Sequence, residues 1–197
     1  MGNIKTLNVG CGQTKIPCSI GMDIIEIPGF VDIVCDLNKL PYPFENDFFD
    51  EIHLYHVLEH LDAPIKVIEE LHRILKINGI LYLRVPHFSS MNAFTDITHK
   101  RPFGYRSFDC FEETHSHHFY TDANFTIIKK KIKYQLFFPN DGIYEKYIYT
   151  NNCPLILRPI VLTLNYLISV SPIFFERFWC YLVGGASEIE VELKKSK

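Results

Sequence analysis

Three histidines, His56, His87 and His99, are the side chains of this chain best suited to move a proton near neutral pH. Imidazole needs no tuning for that task, because its ordinary pKa lies at about 6.5. His56 follows the apolar run Ile52 to Tyr55, His87 follows Val85-Pro86, and His99 stands in Asp96-Ile97-Thr98-His99-Lys100-Arg101-Pro102-Phe103. The segment Leu7-Asn8-Val9-Gly10-Cys11-Gly12 offers a different chemistry, the holding of a ligand. It reads as a short strand entering a glycine turn, where the missing Cβ lets the backbone bend sharply and approach a bound molecule. Acids follow at Asp23 and Asp36 at the ends of apolar stretches. A strand, a Gly-x-Gly turn and an acid closing the next strand form the entry of a nucleotide-type pocket.

The same residues discriminate between nucleotides. A dinucleotide turn wants a third glycine at the start of a helix whose N-terminus holds the pyrophosphate. Lys15 occupies that position, and Pro17 follows it. Only about ten residues separate the turn from the next strand, too few for a full crossover helix. A Gly-x-x-x-x-Gly-Lys-Ser/Thr loop is absent. Asp23, Glu26 and Asp36 would repel a pyrophosphate but suit a cationic ligand carrying ribose hydroxyls. The combination favours S-adenosylmethionine over NAD.

These groups need a scaffold, and the sequence spells an α/β one. Strands are expected near 4–9, 19–24, 31–35, 49–55 and 79–85. A helix is expected over 63–77, where Ile65, Ile68, Leu71 and Leu75 form one stripe; Asp62 would cap it, Pro64 suits its first turn, and Asn78-Gly79 would stop it. Strands alternating with crossovers imply a parallel sheet, with ligands beyond the carboxyl ends of the strands. Residues 10–12, 23, 36, 55–57 and 86–87 then surround one crevice. Asp23 is expected to accept from both ribose hydroxyls, and Asp36, with Leu37, to meet the adenine amino group and ring face. Asp47 and Asp50 read as turn-fixing residues before the fourth strand, and Asn8 as structural.

In order and spacing these pieces resemble the class I S-adenosylmethionine-dependent methyltransferases, in particular their small bacterial type 11 branch. The resemblance runs from about residue 4 to residue 87. It is carried by Leu7 to Gly12, Gly21-Met22-Asp23, Cys35-Asp36-Leu37, Leu40-Pro41-Tyr42-Pro43-Phe44, Asp47 to Asp50, His56-Val57-Leu58-Glu59-His60-Leu61 and Leu71 to Leu81. It implies a Rossmann-like, mostly parallel sheet with a final antiparallel strand, and a cofactor set of Gly10, Cys11, Gly12, Asp23, Ile24, Asp36, Leu37, Tyr55 and His56. The short first crossover departs from the family pattern, so a loop is expected to floor the pocket. Segments similar to Asp96 to Phe103 occur in methyltransferases resembling those of bacterial surface-polysaccharide clusters. With Phe88, Phe94, Phe103 and Tyr105 nearby, this stretch suits a sugar or other small-molecule acceptor. Methyl transfer from a sulfonium demands alignment, desolvation and removal of the acceptor's proton. His56, His87 and His99 are the candidate bases for a hydroxyl acceptor. A non-catalytic S-adenosylmethionine- or nucleotide-binding module with structural histidines is the rival reading.

His56-x-x-Glu59-His60 also spells an inverted zinc-protease motif. On a helix His56 and His60 would lie one turn apart, but no long helical scaffold with a further ligand surrounds them, so no metal is expected. His115, His117 and His118 read as a polar loop.

A chain of 197 residues, 47% hydrophobic, is expected to form one domain: a cofactor core over 1–87, an acceptor segment over 88–124, an apolar helical insertion over 138–186 and a final strand over 187–197. A net charge of −3 gives no footprint for nucleic acid. Cys11, Cys18, Cys35, Cys110, Cys153 and Cys180 are scattered, as in reduced cytoplasmic proteins, and a strand near the first residue leaves no room for a cleavable signal. Strands are expected from Phe125 to Phe137 and from Glu188 to Lys194, with roughly fifty residues between them where the family has a hairpin. The uncharged run Pro159 to Phe175 is too short and broken to span a membrane. Residues 153–183 are instead expected to form a homodimer contact, to pack over the acceptor site, or to anchor the chain at the inner membrane face through Arg158, Arg177 and Trp179.

Overall fold

The computed structural model describes residues 4–134, 158–183 and 185–196. Seven strands form one sheet: β1 (Thr6–Val9), β2 (Ile20–Asp23), β3 (Ile33–Val34), β4 (Phe49–Tyr55), β5 (Leu75–Pro86), β6 (Phe125–Lys133) and β7 (Glu188–Lys195). Their order is β3-β2-β1-β4-β5-β7-β6. β1 to β5 pair in parallel, whereas β7 runs antiparallel to both β5 and β6. The sheet has the Rossmann-like form expected, with residues 134–187 standing between the two last strands.

One face of the sheet is apolar and covered. The helix α1 (Pro64–Ile74) buries Val67, Ile68, Leu71 and Ile74 in a core that includes Leu7, Val9, Ile52, Leu54, Leu81, Leu83, Val191 and Leu193. The strand residues in that set are spaced by two, the period that sends alternate side chains to one face. On the other face the intervening residues are mostly polar, some buried and some partly exposed. His53 stacks on Tyr82 at 4.5 Å, Arg84 lies over Tyr55 at 4.4 Å, and Arg84 pairs with Glu190 at 3.0 Å. Lys129 with Glu192 and Lys133 with Glu190 continue this ladder. The alternation Glu-Ile-Glu-Val-Glu-Leu in β7 is the sequence form of that division.

The helix expected over 63–77 is shorter. Asp62 does not cap it; its side chain accepts from Lys100 Nζ at 2.6 Å, and no side chain caps Ala63. At the other end the chain turns extended at Leu75, three residues before Asn78-Gly79. The terminal carbonyls of Arg73 and Ile74 accept from the backbone of Asp47 and Phe48 (3.0 and 2.8 Å), so the lead-in to β4 satisfies the helix end and draws Leu75 into the sheet beside Phe49. Asn78, at φ +67°, sits within β5 where its pairing with β4 is irregular.

Loops replace helices in the connections from β1 to β4. Residues 10–19 are held by Asn8, whose side-chain oxygen accepts from Ile16 N–H at 2.9 Å, which is the structural part expected of Asn8. Asp47 and Asp50 likewise fix local geometry: Asp47, at φ +55°, accepts from Lys195 Nζ at 2.8 Å, and Asp50 accepts from Lys5 N–H at 2.8 Å. The end of the expected strand Phe125–Phe137, the start of the apolar insertion and Cys153 lie outside the described residues. The cysteines described, Cys11, Cys18, Cys35, Cys110 and Cys180, are free.

Candidate active site

β1 and β4 are parallel neighbours, so their carboxyl ends lie side by side. Gly10 N–H and Cys11 N–H both donate to the Met22 carbonyl, at 2.7 and 3.3 Å. Gly10 takes φ +62° and Gly12 φ +48°, left-handed values that disfavour a Cβ. The two glycines are needed for different reasons. A Cβ on Gly10 would stand 2.2 Å from Val57 Cγ2, so the turn packs directly on the residue after His56. A Cβ on Gly12 would meet nothing within 4 Å, so that position faces open space.

Asp23 ends β2 with its carboxylate turned back to the glycine turn. Oδ2 accepts from Gly12 N–H at 2.9 Å and Oδ1 from Ile25 N–H at 3.2 Å, and each oxygen keeps a lone pair for a further donor. Ile24 beside it is exposed, an apolar surface at the edge of the crevice. Asp36 accepts from Asn38 N–H at 3.0 Å, and this bond outweighs burial and holds its carboxyl below the usual carboxylate range. Leu37 is buried, with its carbonyl accepting from Tyr42 at 2.9 Å. Cys11 is buried too, and its thiol, directed at the Phe30 carbonyl, is pushed up by burial and by Asp23. Tyr55 contributes its backbone to the strand end, but its ring turns to the polar sheet face, its hydroxyl 2.7 Å from His53 Nδ1. Burial there pushes the phenol up to about 12.

Beyond Tyr55 the chain reverses sharply at His56, at φ +55°, and forms a single 3₁₀ turn over Leu58–His60. The motif His56-x-x-Glu59-His60 therefore does not lie on an α-helix, and His56 is not stacked one turn below His60. His56 stands between two buried carboxylates, with Nε2 3.1 Å from Glu188 Oε2 and Nδ1 3.6 Å from Glu59 Oε1. Burial alone would depress this imidazole, but the two carboxylates overcome it and push it up to about 9. The same contact holds Glu188 below the ordinary carboxyl range despite its burial.

The segment after β5 folds back onto this turn. Lys100 N–H donates to the Glu59 carbonyl at 2.8 Å, and Arg101 donates to the Asp62 carbonyl at 2.9 Å. This clasp brings His99 Nε2 to 3.9 Å from Glu59 Oε1 and sets the His60 and His99 rings edge to face at 4.6 Å. His56 and His99 thus share Glu59. His87 stands apart and fully buried: Ser89 N–H donates to Nδ1 at 3.1 Å, which leaves Nε2 to donate to Glu176 Oε1 at 3.0 Å. Glu176 belongs to a π-helical segment, Phe175–Trp179, and also accepts from Tyr105 N–H. His87 ties the end of β5 to the Phe175–Trp179 segment, and both of its nitrogens are engaged.

Glu59, Glu176 and Glu188 are the site residues that sequence reading missed. Glu59 lay inside a quoted motif between apolar Leu58 and Leu61, a signal of burial. Glu188 and Glu176 come from the far end of the chain and carry no local mark.

Residues 23–83 match the family model described as "Methyltransferase domain". That stretch, from the end of β2 into β5, is similar to a methyltransferase domain. Together with the solved structures below, this match makes S-adenosylmethionine its cofactor. No curated protein matches the sequence. Among solved structures, the methyltransferase is similar to an S-adenosylmethionine-dependent methyltransferase of Archaeoglobus fulgidus (TM-score 0.60, 17% identity, covering 98% of this chain and 87% of the other). It is also similar to the YcgJ protein of Bacillus subtilis (0.56, 16%, 99% and 93%). A third, the [4+2]-cyclase SpnF, aligns at 0.54 with 13% identity, covering 98% of this chain and 76% of the other. Likeness at these identities shows the shared fold, and the acceptor has to be argued from the site.

Proposed function

We propose that this methyltransferase transfers the methyl group of S-adenosylmethionine to a hydroxyl oxygen of a sugar or glycan. The observation that carries the reading is the clasp of residues 96–101 onto the Leu58–His60 turn, beside the glycine turn that Val57 touches. It brings hydrogen-bonding groups and proton carriers to the methyl-donor end of the crevice. Exposed Phe94 and half-buried Phe88 and Tyr105 border the segment and offer flat faces for the C–H surfaces of a sugar. Asp23 is assigned to the ribose, Asp36 and exposed Ile24 to the adenine, and Gly10, Cys11 and Gly12 to the methionine end. Leu37 supports this wall from beneath, while Tyr55 and His56 shape its rim.

Of the three candidate bases, His99 is the one the geometry favours. His56 has a carboxylate on each ring nitrogen and so holds both protons, acting as a positioning cation. His87 has no nitrogen to spare. His99 Nδ1 faces the Ala93 carbonyl at 3.3 Å, which leaves Nε2 to receive the acceptor's proton beside Glu59. S-adenosylhomocysteine release with sugar nucleotides or polysaccharide fragments tests the reading. Turnover with a hydroxyl sugar, lost in His99→Ala with cofactor affinity kept, supports it. Cofactor binding without turnover on any of them supports the non-catalytic module instead.

The insertion fits work at a lipid surface on the cytoplasmic side. No single described helix is long and apolar enough to cross a membrane; the pair Arg158–Val170 and Pro172–Leu182 is bent by 102°. Around that bend Ile160, Leu162, Leu167, Phe174, Phe178 and Leu182 are exposed, with Tyr166 and Trp179 beside them. Arg158 and Arg177 supply positive charge, while Glu176 turns inward to His87. Apolar, aromatic and cationic groups on one short hairpin match an interfacial anchor better than a second protein copy. Flotation with anionic liposomes, lost when Leu162, Leu167 and Leu182 become Asp, is the expected outcome; a stable dimer that ignores liposomes would contradict it.

A further inference from the structure

We infer that Glu59, His60 and His99 form a binding site for a divalent transition-metal ion, of the zinc class, at the end of β4. Their ligand atoms lie within 4.8 Å of one another, although two come from the Leu58–His60 turn and one from the segment that folds back onto it. The set differs from the one the motif suggests by itself, since His99, 43 positions further along the chain, takes the place of His56.

The carboxylate supplies the first argument. Glu59 is 1% exposed, and among the described residues neither of its oxygens accepts a hydrogen bond. A buried carboxylate met only by imidazoles beyond hydrogen-bond distance is unusual, because burial removes water and those contacts replace it incompletely. His56 and His99 approach one of its oxygens only at ionic-contact distances, 3.6 and 3.9 Å. Both oxygens keep the lone pairs that a cation would use.

The second argument is the outer hydrogen bonding of the two imidazoles. A metal-bound histidine presents one nitrogen to the ion and donates its other N–H to an oxygen that fixes the ring. His99 Nδ1 meets the Ala93 carbonyl at 3.3 Å, which places its proton there and leaves the Nε2 lone pair toward Glu59. The Thr98 hydroxyl donates to Asp96 Oδ1 at 2.6 Å, so at 2.8 Å it accepts from His60 Nδ1–H and leaves Nε2 of His60 unprotonated. Two imidazoles with one carboxylate suit zinc, cobalt, nickel, manganese or ferrous iron better than calcium or magnesium.

An ion here would pin the acceptor segment to the end of β4 and retain open positions. On the O-methylation reading, and resting on it, an acceptor hydroxyl coordinated there would be acidified by the ion and release its proton to solvent water, with no need of His99 as base. Binding itself does not depend on that reading.

The test uses the full-length protein freed of metal by chelation and titrated with Zn²⁺ and with Co²⁺ in the absence of any acceptor. One equivalent is expected to bind, with a cobalt spectrum showing nitrogen ligation and a rise in melting temperature. His60→Ala and His99→Ala should abolish the spectrum, and Thr98→Val, which touches only the outer bond, should weaken affinity about 10- to 100-fold. His117→Ala, in the exposed histidine loop, should change nothing. Should a variant fold poorly without metal, the wild-type spectrum and stoichiometry decide alone. No stoichiometric binding by the wild type, or binding that survives His99→Ala and disappears in His117→Ala, overturns the inference. Metal binding without methyl transfer would leave the site standing and overturn only the O-methylation reading.

Discussion

The glycine turn and the histidine–glutamate cluster stand at the ends of adjacent strands, yet they are built in opposite ways. The turn is made of backbone: two left-handed glycines, amides aimed at the Met22 carbonyl, and one carboxylate eleven residues away that accepts from Gly12. Its backbone bonds and its acid all lie within residues 7–23, with Val57 packed against Gly10. The cluster is made of side chains from the β4 end, the segment after β5 and the last strand, and His56 meets Glu188 across 132 positions of sequence. A backbone site depends on local conformation, whereas a side-chain site depends on the whole sheet being assembled. The two should therefore fail differently.

The largest contrast is expected at the glycines. Gly10→Ala should destabilise the protein by about 3 kcal/mol, since the new Cβ meets Val57 and the left-handed backbone is strained. Gly12→Ala should cost only about 1 kcal/mol, from its left-handed backbone alone, while losing cofactor affinity, because its Cβ would enter the open space proposed for the ligand. Thermal melting and calorimetric titration with S-adenosylmethionine separate the two, and equal effects on both readouts would erase the distinction.

A smaller effect is expected in the cluster. Glu188→Gln should cost about 2 kcal/mol of stability through the buried His56 contact, with cofactor affinity nearly unchanged. The same contact sets a pH window. His56 is raised from its ordinary 6.5 to about 9, so in metal-free protein its stabilisation is complete below about 6.5 and fades as pH rises through 9. Denaturation midpoints from pH 6 to 10 should show that fall in the wild type and a flatter profile in Glu188→Gln. Smaller still, Asp23→Asn should weaken cofactor binding about tenfold with little change in melting, as one charge-assisted partner of the ribose becomes neutral. A melting change larger than that of Glu188→Gln would make Asp23 a structural residue.

This division also explains what was legible in the sequence. The glycine turn, the early strands, α1 and the alternating β7 follow from period, turn chemistry and local spacing, and the sheet assembled from them agrees with the expectation. The end of α1 is not legible, because Asn78-Gly79 resembles a helix stop while the helix ends where backbone bonds from Asp47 and Phe48 meet its carbonyls. His56, His87 and His99 stand out by residue type, but the carboxylates they face, Glu188, Glu176 and Glu59, are partners that only the fold supplies. Glu188 looked like one of several solvent-facing acids in an alternating strand, and its burial depends on what packs over the strand end.

The most direct measurement is a crystal structure of the full-length protein with S-adenosylhomocysteine. The account predicts ribose hydroxyls on Asp23, adenine beside Ile24 and Asp36, and the sulfur facing the His56–Glu59 turn, on the side clasped by residues 96–101. A ligand seated elsewhere, or with its sulfur turned away from that turn, would contradict it.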